Sequence, residues 1–104
     1  MKLEIKYLNL SEIYVKVAGR LDLDSAVEFG TKIKDTIEDS EEVITSLVLD
    51  FREVVFISSY GLKVILELYK LMNTQGKMKL MNVSGQILRA FQLVGFDKFL
   101  DIEQ

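Results

Sequence analysis

The stretch Leu47-Val48-Leu49-Asp50-Phe51-Arg52-Glu53-Val54-Val55-Phe56-Ile57-Ser58-Ser59-Tyr60-Gly61-Leu62 carries the transition on which the fold turns. Leu47 to Leu49 form a continuous apolar run, as expected for a strand covered on both faces. Asp50 to Ser59 reads as a loop whose second half stays apolar. After Gly61, apolar residues recur at Leu62, Ile65, Leu66, Tyr69 and Met72, a spacing that predicts a helix. Ser58 and Ser59 therefore stand where free backbone N–H groups and the positive end of a helix dipole converge. A hydroxyl there can cap the helix, and a phosphate on it is electrostatically favoured.

Upstream, Leu3, Ile5 and Tyr7 alternate with Lys2, Glu4 and Lys6, the pattern of a half-exposed strand near a sheet edge. Ile13, Val15 and Val17 repeat the alternation after a polar turn at Asn9 to Glu12, so the two segments predict a hairpin. Gly19 reads as the end of the second strand. Arg20 to Asp24 leads into a helix that Asp22 or Asp24 can cap, Ser25 being the weaker choice. Ala26, Phe29, Ile33 and Ile37 mark its buried stripe, and Glu28, Lys32, Asp35 and Glu38 its wet face. Gly30 inside this helix costs about 1 kcal/mol against alanine, which implies close packing at that point.

Downstream, Asn73 to Gly76 stops the second helix, and Met78 with Leu80 begins another strand. Ser84 can cap a third helix with Ile87, Leu88, Phe91 and Val94 on one face, ended by Gly95 in left-handed conformation. Phe96, Phe99, Leu100 and Ile102 predict a short closing strand. Alternating strands and helices of this kind build a mostly parallel or mixed α/β sheet, whose sites gather at the carboxyl ends of the strands. If the strands before Asp22 and before Ser58 are parallel, Asp22 and Asp24 come near Ser58 and Ser59 on one sheet edge.

Composition narrows the chemistry. The 104 residues suit one domain, 1–104, with one core and no linker. With 49% hydrophobic and 28% charged residues, the chain is globular in type. A net charge of -3 with interspersed signs argues against nucleic acid or an anionic membrane as the main partner. The absence of histidine removes the usual general base, most zinc sites and any Ser-His-Asp triad. The absence of cysteine removes disulfides and thiolate sites. No signal-peptide, lipidation or long apolar pattern is apparent, so a cytoplasmic protein is expected. Without a histidine base, a thiolate or a glycine-rich phosphate loop, no catalytic residue, metal or cofactor is expected, and the chain is expected to be a monomer. Two carboxylates at Asp22 and Asp24 without further ligands make a poor metal site. Arg52 and Glu53 read as solvated loop charge.

Gly19-Arg20-Leu21-Asp22, Leu47-Val48-Leu49-Asp50-Phe51, Phe56-Ile57-Ser58-Ser59-Tyr60-Gly61-Leu62 and Phe91-Gln92-Leu93-Val94-Gly95-Phe96 follow one another in the order and spacing of the STAS family. The chain resembles in particular the bacterial anti-sigma factor antagonists of that family, over essentially its full length. The resemblance implies a four- or five-stranded sheet with helices mainly on one side. It also implies partner switching. In that scheme an unphosphorylated antagonist binds an anti-sigma factor that is also a serine kinase, and so frees the sigma factor. Phosphorylation of a serine at the start of the second helix separates the complex, and a phosphatase resets it.

Members commonly read Asp-Ser-Ser-Gly-Leu before this helix, with the first serine phosphorylated. Aligned on Gly61-Leu62, Ser59 takes the phosphorylated position, Ser58 the aspartate position and Tyr60 that of the second serine. Ser58 is the second choice as phosphoacceptor, and Asp22 matches the aspartate that members place beside the phosphorylated serine. Serine in place of aspartate retains capping ability and loses a negative charge.

On the second helix the polar arc is narrow, carried by Lys63, Glu67 and Lys70. A side stripe at Tyr60, Val64, Leu68 and Leu71 is apolar; Leu68 is expected to pack inward, and Tyr60 with Val64 to border a partner surface. Two alternatives stand beside this reading. One is a non-switching scaffold or sensor module of the same fold that binds a nucleotide or small apolar ligand; the other is a small enzyme, which no base, metal cluster or glycine-rich phosphate loop supports, and the plainer reading of the two serines is as helix caps.

Overall fold

The computed structural model describes residues 1–104. Its elements are β1 (Lys2–Tyr7), β2 (Glu12–Leu21), α1 (Leu23–Asp39), β3 (Ser46–Ile57), α2 (Ser59–Asn73), β4 (Lys77–Met81), α3 (Gly85–Leu93), a 3-10 turn (Phe96–Lys98) and β5 (Asp101–Ile102). β1 and β2 pair as the expected antiparallel hairpin, while β2, β3, β4 and β5 run parallel to their neighbours. The sheet has five strands in the order β1-β2-β3-β4-β5. Each helical crossover steps the same way along the sheet, and the right-handed rule then puts α1, α2 and α3 on one face. One apolar core unites them, with Phe29 of α1, Ile65 of α2 and Phe91 of α3 buried against Leu47, Leu49 and Phe51 of β3.

The main correction to the sequence reading concerns Asp50 to Ile57, which is strand and not loop. β3 is twelve residues long because β2 continues through Gly19 to Leu21 and pairs with it all the way. Two register shifts disguise this. Lys16 pairs with Asp50 but Ala18 with Glu53, and Gly19 pairs with Val54 but Arg20 with Phe56, so β3 carries one extra residue at each bulge. Inward residues then fall at Phe51, Val54 and Ile57, a period of three that no strand template matches. Gly19, at φ +99°, belongs to the bulged region and does not end β2. Arg52 and Glu53 are exposed strand residues, and Glu53 forms an ion pair with Lys16 at 3.1 Å.

The helices follow their caps. Asp22 caps α1, Ser58 caps α2 and Ser84 caps α3. The buried stripe of α1 is the expected Ala26, Phe29, Ile33 and Ile37. In α2 the stripe is turned from the expected one: Gly61, Ile65, Leu68 and Met72 are buried, while Leu62, Leu66 and Tyr69 are half-buried. The cause is lateral, since α2 lies between α1 on one flank and Phe99 on the other, whose ring is 5.0 Å from that of Tyr69. Val94 lies beyond the end of α3 and is exposed, not on its inward face. Gly95 adopts the left-handed conformation expected, and a 3-10 turn precedes the short last strand.

Candidate functional site

β2 and β3 end in register, Leu21 beside Ile57, and each is followed by a single residue before its helix begins. Those residues are Asp22 and Ser58, so two helix N-termini emerge side by side at the carboxyl edge. The Asp22 carboxylate accepts from the Ser25 hydroxyl (2.7 Å) and the Ser25 N–H (3.3 Å). The Ser25 hydroxyl in turn accepts from the Asp22 N–H (3.0 Å), completing a capping box. The Ser25 hydroxyl and N–H hold the Asp22 carboxyl below its ordinary pKa, so it is a fixed negative charge at neutral pH.

Ser58 has both of its roles consumed internally. Its hydroxyl donates to the Leu21 carbonyl (2.9 Å) and accepts from the Gly61 N–H (3.3 Å), and its own N–H donates to the same carbonyl (2.9 Å). The cap therefore also ties the head of α2 to the end of β2. Gly61 makes this possible: a Cβ there would lie 2.6 Å from Ile57 Cγ1 and 3.1 Å from the Leu21 carbonyl oxygen. Ser59, one residue on, is exposed at the first turn of α2, and no intramolecular hydrogen bond engages its hydroxyl. Tyr60 is exposed beside it. Val64 is half-buried against Gly30, where a Cβ would meet Val64 Cγ1 at 2.8 Å. Leu68 is buried, as expected, so of the apolar side stripe Tyr60 alone among these three stands fully at the surface.

Two features escaped the sequence reading. The Arg20 guanidinium stacks 4.1 Å above the Phe56 ring, its cross-strand neighbour at the same edge. Nothing in the sequence pairs these residues before the second bulge is known. The other is Asp50, buried on the sheet face that the helices leave open. Its carboxylate accepts from the Tyr14 hydroxyl, from Asn82 Nδ2 (2.9 Å) and from the Arg52 N–H (3.0 Å). Burial pushes the Asp50 pKa up, but the Tyr14, Asn82 and Arg52 donors together outweigh it and leave the carboxyl below its ordinary value. The signal was an acid inside an apolar strand run, which points to a satisfied buried carboxylate. Asp22 and Asp24 recruit no third ligand; no group of three His, Cys, Asp or Glu side chains is arranged to hold a metal ion.

Residues 6–104 match the model of the STAS domain. The chain belongs to the STAS family. A curated STAS relative, the anti-sigma-B factor antagonist of Bacillus subtilis, is 30% identical over 95 residues, spanning 90% of this chain and 84% of that protein. An anti-sigma factor antagonist from Mycobacterium paratuberculosis superposes with a TM-score of 0.85 at 22% identity, covering 98% of this chain and 84% of the other. The Bacillus cell fate determinant SpoIIAA, in its phosphorylated form, superposes with a TM-score of 0.75 at 18% identity, covering 99% and 92%. The Bacillus subtilis relative groups the chain with the anti-sigma factor antagonists of the STAS family, and the two superpositions show the shared fold. Ser58, without an aspartate's charge, performs the α2 cap.

Proposed function

We propose that this chain is an anti-sigma factor antagonist that works by partner switching. Unphosphorylated, it binds an anti-sigma factor with serine kinase activity in the bacterial cytoplasm and so frees a sigma factor for transcription. Phosphorylation at Ser59 releases it, and a phosphatase restores it. It acts as a regulator, not as an enzyme. The observation that carries this reading is the division of labour between the two serines. Ser58 spends its hydroxyl on the cap, whereas Ser59 keeps a free hydroxyl at the exposed head of α2.

The electrostatics are consistent with a switch that leaves the fold intact. A phosphate on Ser59 adds about -1.5 to -2 charges at a helix N-terminus, where the dipole offsets part of the cost. Asp22 and Asp24 at the neighbouring helix head oppose it. A partner surface closing over Ser59 would have to bury an unpaired dianion, which is expensive. Asp22, Ser58, Ser59, Tyr60 and Val64 together form the proposed contact region.

The test is incubation with kinase-type anti-sigma factors and ATP, followed by mass mapping and affinity measurement. Modification at Ser59, with weakened binding by Ser59→Glu and retained binding by Ser59→Ala, is the expected result. Modification at Ser58 alone, or equal affinity for the two variants, would overturn it. A second reading, a non-switching STAS module that binds a nucleotide or small ligand, draws on a groove of about 460 Å³ between α1 and α2. Tight ligand binding without any kinase partner would favour it.

A further inference from the structure

The two edges of the sheet differ. β5 is only two residues long, whereas β1 runs six residues and pairs with β2 without a register shift. The Leu8 N–H, just past β1, donates to the Glu12 carbonyl (2.8 Å), and this fixes the parity of the ladder. Backbone groups along a strand point alternately to either side, so Lys2, Glu4 and Lys6 direct theirs at β2. Leu3, Ile5 and Tyr7 direct theirs away from it, along the open edge. An edge of this length and regularity is a template for a further strand.

The side chains say which strand fits. Lys2, Glu4 and Lys6 are exposed on the open face of the sheet and form no ion pair within the chain. Leu3 and Ile5 pack against the core on the helix-bearing face, where the Tyr7 hydroxyl meets Ser40 Oγ at 3.1 Å. Since only Leu3, Ile5 and Tyr7 offer edge groups, an antiparallel second β1 must pair these three among themselves, and a one-residue slip is excluded. A register centred on Glu4 sets Glu4 against Glu4 and Lys2 against Lys6; one centred on Lys6 sets Lys6 against Lys6. Centring on Leu3 or Tyr7 loses half of the strand. Centring on Ile5 sets Leu3 opposite Tyr7, Ile5 opposite Ile5, and Glu4 opposite Lys6 on both sides of the axis.

The other charges at this edge agree with that register. Lys2 falls opposite Leu8, which is 56% exposed and can take its aliphatic stem, with Glu12 next in the row. Lys16, beside Glu4 on β2, is held by Glu53 at 3.1 Å, and the Met1 amine stands against Gly19. Like charges, Glu4 with Glu4 and Lys6 with Lys6, meet only on diagonals, about 7–8 Å apart.

We propose that the chain forms a two-fold dimer by antiparallel pairing of β1 with β1 of a second copy, centred on Ile5. The two five-stranded sheets become one, with the axis perpendicular to it. All helices then lie on one face, and the two carboxyl edges point in opposite directions. Each Ser59 stays open, so the dimer presents two equivalent sites to other proteins. This inference goes beyond the partner-switching reading and does not depend on it.

Sedimentation equilibrium of the full chain tests it. A monomer–dimer equilibrium with Kd of about 10–100 µM is expected, as suits a small contact. Glu4→Lys or Lys6→Glu alone sets like charges opposite each other and should weaken association about tenfold. Mixing the two single variants brings opposite charges together again and should give a heterodimer within about threefold of wild type; Glu4→Lys/Lys6→Glu should restore the homodimer likewise. The chain has no cysteine, so single cysteines report the register. Ile5→Cys should cross-link under mild oxidation, because a hydrogen-bonded antiparallel pair holds its Cα atoms about 5.5 Å apart, and Leu3→Cys should not. A wild-type chain that stays monomeric up to about 0.5 mM overturns the proposal. So does association that Glu4→Lys leaves unchanged, a mixture that fails to associate, or cross-linking of Leu3→Cys in preference to Ile5→Cys.

Discussion

Replacing Asp50 probes the one buried carboxylate of the chain, 6% exposed and with three donors aimed at it. Asp50→Ala strips the acceptor from Tyr14, Asn82 and the Arg52 N–H at once. Hydrogen bonds to a charged group contribute about 1.5–3 kcal/mol each, and an orphaned buried donor adds its own desolvation cost. Arg52 is exposed and Tyr14 and Asn82 are both half-buried, so each donor recovers part of its hydration. The expected loss is about 3–4 kcal/mol, not the sum of three full bonds. For a domain of this size that lowers Tm by roughly 12–30 °C. Asp50→Asn keeps one acceptor oxygen but no charge, and should lose about 1–2 kcal/mol at neutral pH.

Acid provides the independent check. The folded pKa of Asp50 lies below its unfolded value, so the unfolded state takes up the proton first as pH falls. The stabilisation is therefore complete above about pH 4 and is lost as pH drops through the folded value. Urea unfolding followed by circular dichroism at neutral pH and in acid measures both effects. The gap between wild type and Asp50→Asn should narrow in acid. A loss under about 1 kcal/mol for Asp50→Ala, or a gap that acid leaves unchanged, would refute the reasoning.

Three further outcomes follow from local geometry. Gly76→Ala should cost about 3 kcal/mol or more by thermal melt, because its Cβ would lie 2.0 Å from the Thr45 carbonyl oxygen; Gly85→Ala, with open space around it, should be neutral or slightly stabilising. Ser58→Ala should lose about 1 kcal/mol of stability through the broken α2 cap while leaving Ser59 open to modification, as read by melting and mass mapping. Glu53→Ala should change the unfolding free energy by less than about 0.5 kcal/mol, since its ion pair with Lys16 is solvent-exposed on both sides.

Many of the local determinants were legible in the chain, although the α1 cap stayed open between Asp22 and Asp24. The alternation of β1, the buried stripe of α1, the caps at Ser58 and Ser84, and the left-handed Gly95 follow from residue type and spacing. So does the juxtaposition of Asp22 with Ser58, once β2 and β3 are parallel. Local chemistry suffices because a cap or an amphipathic face is satisfied within a few residues. Tertiary structure decided the rest. Two bulges turned the inward period of β3 from two to three, hiding half the strand and the pairing of Arg20 with Phe56. Flanking elements on both sides turned the buried stripe of α2, and Gly30 let α1 approach closely enough to take Val64 out of the open surface. Asp50 found its donors thirty-odd residues away in each direction, at Tyr14 and Asn82. Interactions of that range depend on strand register, and register is set by the packing of the whole core, not by any window of sequence.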